Sequence, residues 1–323
     1  MTNRVIDIAE RPARLSARGG LLVAEVEGEN VRSIPFADIA ALVCSNGQAV
    51  FTQSAVSELM AAGGVFVVCD AKHLPVGMMI PLLGHGEQTT MFQRQSEAGA
   101  PLKKRLWRET VAAKIRAQSV ALAAQSGQSH GLEHMPARVK VGNATAMESM
   151  ASRAYWPLLF ADKRYRRSED EDSRNALLNY GYAVVRAIVA RSLCGAGLHP
   201  GLAIHHHNRY DPYPLANDVM EPFRPVVDGW VARWCCLRQG PWPLDRESKA
   251  EILALLTGRF TDGEEERTFF DWVERTAERL ARCIEGNRNE IGYPQIRRAA
   301  QPGDAGPEET AGRVPCGVAA DDV

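Results

Sequence analysis

The stretch Arg14-Leu15-Ser16-Ala17-Arg18-Gly19-Gly20-Leu21-Leu22-Val23-Ala24-Glu25-Val26 has the form of a β-hairpin. Its Gly-Gly pair supplies the positive φ angles that a two-residue turn between twisted strands requires. Working outward, further short strands are expected at residues 38–44, 65–70 and 76–80. Between them Thr52 is placed to cap a short helix that the Gly63-Gly64 pair would stop. Residues 1–81 therefore read as a β-rich domain. They carry no Gly-rich phosphate loop, and strand-helix alternation is too sparse for a doubly wound sheet.

Residues 82–100 are polar and rich in turn formers (Gly84, Gly86, Gly99) and read as a linker. Beyond them the period changes: Leu106, Thr110, Ala113, Ile115, Val120 and Leu122 fall at helical spacing. Helices are expected at 144–160, 173–193, 218–237, 246–256 and 264–285. The fold class is then α+β, with a larger all-helical catalytic domain over residues 101–298. Residues 299–323 hold little to bury and read as a disordered acidic tail.

The chain has 323 residues, is 45% hydrophobic and 24% charged, and opens without an apolar leader, which points to a cytoplasmic protein with no membrane partner. Seven scattered cysteines with no C-x-x-C pair read as reduced thiols. The formal net charge of −1 hides an asymmetry: residues 101–167 hold thirteen Lys and Arg against four acids, 13 − 4 = +9, while 301–323 hold one Arg and five acids, 1 − 5 = −4. A basic segment in a neutral chain suggests a face for phosphates, although an ordinary solvated helix surface would look the same. The cations concerned are Lys103, Lys104, Arg105, Arg108, Lys114 and Arg116 on one expected helix, Arg138 and Lys140, and the run Lys163-Arg164-Tyr165-Arg166-Arg167. Such residues would contact phosphates without reading bases. Tyr165 could stack on an unpaired base or pack on its own helix.

The chemistry concentrates in residues 197–228, where three consecutive histidines, His205, His206 and His207, precede the acids Asp218 and Glu221. Three apart, these carboxylates lie on one face of the first turn of a helix that Asp218 would open. An Asp at N-cap with Glu at N3 is also an ordinary capping arrangement. Carboxylates with an imidazole suit Mg²⁺ or Mn²⁺ better than a closed zinc cage. A third ligand must come from elsewhere. The helix that carries Glu148 has an apolar face into which this carboxylate could be partly drawn, although periodicity alone would leave it on the surface.

The order Glu148, Ala151-x-x-Ala154-Tyr155-Trp156, Asn175-Ala-Leu-Leu-Asn-Tyr-Gly-Tyr182, His205-His206-x-Asn208, then Asp218-Val-Met-Glu-Pro-Phe-Arg-Pro225 with Asp228 resembles the CRISPR-associated integrases of spacer acquisition, the Cas-one family. The resemblance covers residues 1 to about 295 and is greatest to members from type II systems. It implies a small β-domain followed by a helical catalytic domain. It also implies a homodimer that assembles with the small second CRISPR-associated adaptation protein into a heterohexamer, with the type II effector nuclease as a further partner. Carried over position by position, the family's metal-binding and catalytic residues fall on Glu148, His206 and Glu221, with Asp218 as an additional acid. A register shift of one would substitute His205 or His207.

The function implied is metal-dependent integration of DNA: the 3′-hydroxyl of a protospacer attacks a phosphodiester of the CRISPR repeat, and hydrolysis is the same step with water. No Ser-His-Asp or Cys-His constellation is apparent, and phosphoryl transfer of this kind needs little covalent chemistry from side chains. Two other classes remain open at this level: a non-catalytic DNA-binding scaffold using only the basic face, and a zinc hydrolase built on the three histidines.

Overall fold

The computed structural model describes residues 3–9, 11–70, 75–81, 86–167 and 173–299. The expected acidic tail, apart from residue 299, and residues 82–85 of the expected linker lie outside that set.

The N-terminal region is β-rich. Strands β1 (Arg4–Ile8), β2 (Ala13–Arg18), β3 (Leu21–Val26), β4 (Arg32–Pro35), β5 (Ile39–Cys44), β6 (Val50–Phe51), β7 (Val65–Cys69) and β8 (Pro75–Met79) form two four-stranded sheets, with helix α1 (Gln53–Ala61) among them. One sheet runs β4-β3-β2-β6, the other β1-β5-β7-β8. The hairpin pairs Arg18 with Leu21 across Gly19 and Gly20, whose φ values are +57° and +76°. Thr52 caps α1 through a side-chain bond from the Ala55 N–H. β5 is buried along its whole length, which is why Ile-Ala-Ala-Leu-Val-Cys shows no alternation.

The rest of the chain is mainly helical: α2 (Gln88–Glu97), α3 (Ala100–Ser126), α4 (Ala144–Leu159), α5 (Ser173–Gly195), α6 (Pro214–Met220), α7 (Arg224–Cys236), α8 (Arg246–Leu256) and α9 (Phe269–Ile284). The molecule is thus mixed α and β, β-rich first and helical after, and no described helix is long and apolar enough to cross a membrane.

Three expectations need correction. The C-terminal part is not all-helical, because β9 (Arg259–Asp262), β10 (Glu265–Thr268) and β11 (Arg297–Arg298) form a small sheet in the order β10-β9-β11. Gly263, at φ +62°, turns β9 into β10, and Glu266 pairs with Arg259 across the strands. The segment 82–100 is not a plain linker either, since it contains α2. That helix is held by Gln95, whose amide donates to the carbonyls of His199 and Leu202 at 2.9 Å and accepts from the His199 N–H at 2.8 Å. Finally, Asp218 does not open a helix. Pro214 at the first turn starts α6 four residues earlier, and the helix yields to a 3₁₀ turn, Glu221–Phe223, before α7. Pro222 and Pro225 lack the N–H groups that a single continuous helix would need there.

The block Asn175–Tyr182 is a junction. Asn175 accepts from Tyr165 Oη at 2.7 Å and from Arg167 at 3.2 Å, and Asn179 accepts from Arg167 at 2.6 Å. Tyr180 donates to Asp7 in β1 at 3.3 Å, tying α5 to the sheet. Gly181 lets α5 close on α7: a Cβ there would stand 2.5 Å from Val227 Cγ1. Tyr182 and Tyr155 both donate to the buried carboxylate of Asp228, Tyr155 at 3.1 Å.

Gly181→Ala should therefore destabilise the protein by about 1–3 kcal/mol through overpacking, although in an exposed helix the same change would gain roughly 1 kcal/mol. Thermal denaturation checks the sign, and a stabilised variant would mean that the helices do not meet there. Asp228 supplies a pH test. Burial pushes its carboxyl up to about 7, against the hydroxyls of Tyr182 and Tyr155 and the guanidinium groups of Arg167 and Arg224. The folded state therefore holds a proton that the unfolded chain has lost, from its ordinary value of about 4 up to about 7. This contribution to stability is present at the acid end of that window and is lost as pH rises through it. Asp228→Asn keeps a partner for the hydroxyls without titrating. Its stability relative to wild type, read by urea denaturation, should rise by a few kcal/mol across the window. A flat difference would show that Asp228 does not titrate there.

Candidate active site

Helices α3, α4 and the turn joining α6 to α7 meet around one ammonium group. Lys114 on α3 places Nζ 2.7 Å from Glu148 Oε1 of α4 and 2.5 Å from Glu221 Oε2 of the 3₁₀ turn. Arg224, one turn beyond Glu221, stands 3.3 Å from its other oxygen, Oε1. Glu221 is 3% exposed. Its burial alone would raise its carboxyl, but the Arg224 and Lys114 charges win and hold it below the usual carboxylate range. The two carboxylates likewise keep the Lys114 ammonium charged despite its burial, lifting its value above that of an ordinary lysine. Both oxygens of the Glu221 carboxylate are thus paired, Oε1 by Arg224 and Oε2 by the Lys114 ammonium.

The histidine loop is organised by Asp218, which has no exposed surface. Its Oδ2 accepts from the backbone N–H groups of Ile204 and His205 at 2.8 Å each, and Oδ1 accepts from that of His206 at 3.2 Å. The same Oδ1 meets His206 Nδ1 at 2.5 Å. A carboxylate only accepts, so the ring proton sits on Nδ1, and in the neutral imidazole Nε2 then carries the free lone pair. The Asp218 hydrogen bond raises the His206 value, with Asp218, Glu221 and Glu148 adding Coulombic attraction. The His205 ring lies beside that of His206, with centroids 5.5 Å apart. It stacks on Trp107 with centroids 4.2 Å apart, and its own value is lowered chiefly by burial. His207 is exposed. His205 and His206 both pack against Trp107, whereas His207 is exposed, so the three do not gather around one point as a zinc site built on them would require.

Glu148 and Glu221 therefore converge on Lys114, with His206 within electrostatic reach of both. Among the described residues, no three His, Cys, Asp or Glu side chains stand close enough to hold a metal ion. The chemistry nonetheless fits one. Two carboxylates and an imidazole whose Nε2 lone pair is free are ligands that a hard divalent cation takes, and a positive group already occupies the point between the acids. Asp218 serves through His206 and the loop backbone.

The basic residues divide. Lys104, Arg105, Lys163, Arg164 and Arg166 are exposed, and Lys103 and Arg108 are half-buried. Arg167 is committed to Asn175, Asn179 and the face of Tyr182. Tyr165 is buried among Trp156, Phe160 and Arg174, which excludes base stacking. Charge alone places Lys114 with the phosphate contacts and does not single out Arg224. A signal was present: Lys114 lies three residues after Val111 and four before Gln118, both buried on one face of α3.

A family profile described as "CRISPR associated protein Cas1" matches residues 6–240. The CRISPR-associated endonuclease Cas1 of Neisseria meningitidis is 32% identical over 224 residues, covering 68% of this chain and 72% of that one. Among solved structures, a casposase bound to integration product superposes with a TM-score of 0.75 at 15% identity, covering 94% of this chain and 97% of the other. A Cas6-RT-Cas1–Cas2 complex gives 0.73 at 16% identity, covering 93% and 37%.

Proposed function

Since the chain belongs to the Cas1 family of CRISPR-associated endonucleases, we propose that it inserts new spacers into a CRISPR array by divalent-metal-dependent phosphoryl transfer on DNA. The observation that carries this reading is the convergence of two carboxylates from separate helices on one cation, Glu148 and Glu221 on Lys114, beside an imidazole oriented by Asp218. In the reaction, a protospacer 3′-hydroxyl forms a bond to a repeat phosphorus, and that phosphodiester's own 3′-oxygen leaves as a new hydroxyl. With water as the attacking group, the same exchange is endonuclease cleavage.

Mg²⁺ or Mn²⁺ held by Glu148, His206 and Glu221 would supply the charge that an attacking hydroxyl and a departing oxygen need. The chain's own residues do the rest. Asp218 fixes the His206 ring so that Nε2 is presented, and removing it would free three backbone donors along with the ring. Arg224 keeps Glu221 ionised in its buried position. The exposed cations Lys104, Arg105, Lys163, Arg164 and Arg166 would draw the phosphate backbone in, with strong salt dependence. The partners proposed are protospacer and repeat DNA, a second copy of this chain, and the small adaptation protein Cas2 in a heterohexamer, with the effector nuclease of a type II system. The casposase bound to integration product and the Cas1–Cas2 assembly among the structural neighbours support the DNA and Cas2 parts of this list.

The test is an integration assay with labelled protospacer, supercoiled repeat plasmid and the small partner, in Mg²⁺ against EDTA. Glu148→Ala, Glu221→Ala and His206→Ala should each lower strand transfer at least about a hundredfold, the loss of several kcal/mol of transition-state stabilisation. DNA binding should persist in all three. His207→Ala, on an exposed side chain, should stay close to wild type. Full activity of Glu148→Ala, or integration undiminished in EDTA, would overturn the metal-dependent reading.

A further inference from the structure

Lys114 occupies the one point that both candidate carboxylate ligands face. Its Nζ stands 2.7 Å from Glu148 Oε1 and 2.5 Å from Glu221 Oε2, with only 12% of its side chain exposed. A divalent cation binding the same two oxygens would sit roughly 2.1 Å from each. The ammonium and the metal would then overlap, or stand close enough for strong repulsion in a poorly screened site. Arg224 is not the group to leave, because it engages the other oxygen of Glu221 and the face of Tyr182 at 4.9 Å. Lys114 can leave: its charge rides on a flexible four-carbon stem, whereas a guanidinium is held by its planar fork.

The charges agree with such an exchange. Glu148 and Glu221 carry −2, and Lys114 and Arg224 carry +2, so the cluster is neutral without metal. Adding a divalent ion while Lys114 stayed would leave a buried +2. Replacing the ammonium by the metal limits the local gain to +1. The absence of any ready cluster of three metal-binding side chains among the described residues follows as well, since the acids are turned to the ammonium.

We infer that Lys114 is the resident counter-cation of the metal-free site, and that a divalent cation enters by displacing its ammonium from Glu148 and Glu221. This rests on the metal-dependent reading above, and the experiment separates the two. Full-length protein without DNA is titrated with Mn²⁺, free Mn²⁺ is read by electron paramagnetic resonance, and thermal unfolding is followed in parallel. Wild type is compared with Lys114→Gln and with Arg32→Gln, a remote cation of the β-region that controls for net charge. Lys114→Gln should bind Mn²⁺ about tenfold tighter or more, since a competing ligand has been removed. It should also melt lower than wild type without metal and gain more from Mn²⁺. Arg32→Gln should match wild type.

Should Lys114→Gln fail to fold without metal, recovery of its helical circular dichroism on adding Mn²⁺ supports the exchange, and no recovery overturns it. Equal or weaker Mn²⁺ affinity in Lys114→Gln, with wild type binding normally, overturns the exchange and leaves the metal site standing. No Mn²⁺ uptake by wild type or variant overturns the metal reading itself, and the exchange with it.

Discussion

Burying Glu221 is the constraint on which the helical region depends. A carboxylate with 3% exposure must be paired or protonated, and here it is paired on both oxygens, by Arg224 from the following turn and by Lys114 from α3. Removing one partner of a buried pair leaves an uncompensated charge, typically costing about 3–5 kcal/mol. The pairing therefore fixes where α3 lies against the α6–α7 turn, and Glu148 brings α4 to the same place. The site and the packing of three helices are one arrangement.

Asp218 imposes a second condition. Residues 204–206 run without regular structure, so their N–H groups need acceptors, and the buried Asp218 carboxylate takes all three. The approach to this loop is pinned from the other side by Gln95, which holds the backbone at His199 and Leu202. Catalytic residues on loops need a rigid frame. Here the frame is a carboxylate on α6, which also holds the His206 ring, and an amide on α2.

What could be read from the sequence follows the range of the forces involved. The Gly19-Gly20 hairpin, the Thr52 cap and α8 depend on neighbours along the chain, and their residues state them. β1 and β6 pair in parallel with strands distant in sequence, and α2 is polar but fixed through Gln95, so local patterning does not announce them. Asp218 followed by Glu221 looks like a capping arrangement. What decides against it is Pro214 upstream and three donors arriving from another segment. At the site, residue types and order single out Glu148, His206 and Glu221 only through resemblance, because the partner that Glu148 meets, Lys114, stands 34 positions away along the chain. Lys114 and Arg167 look like surface charges in the sequence because net charge does not distinguish the cations that the interior has already claimed.

The two most specific sequence blocks, Asn175–Tyr182 and Asp218–Asp228, turn out to be halves of one contact. Gly181 has no Cβ because the Val227 side chain fills the space. Tyr182 donates to Asp228 through its hydroxyl and offers its ring face to Arg224 at 4.9 Å. Arg224 in turn meets Glu221. A bulkier residue at 181 would push α5 from α7 and carry Tyr182 with it, withdrawing the surface against which Arg224 rests. The guanidinium would then be less well held beside Glu221, and the electrostatic support of that carboxylate would weaken at a distance from the change. A glycine in the core of α5 and a glutamate at the site are joined through two intermediate side chains, so the blocks have a physical reason to occur together.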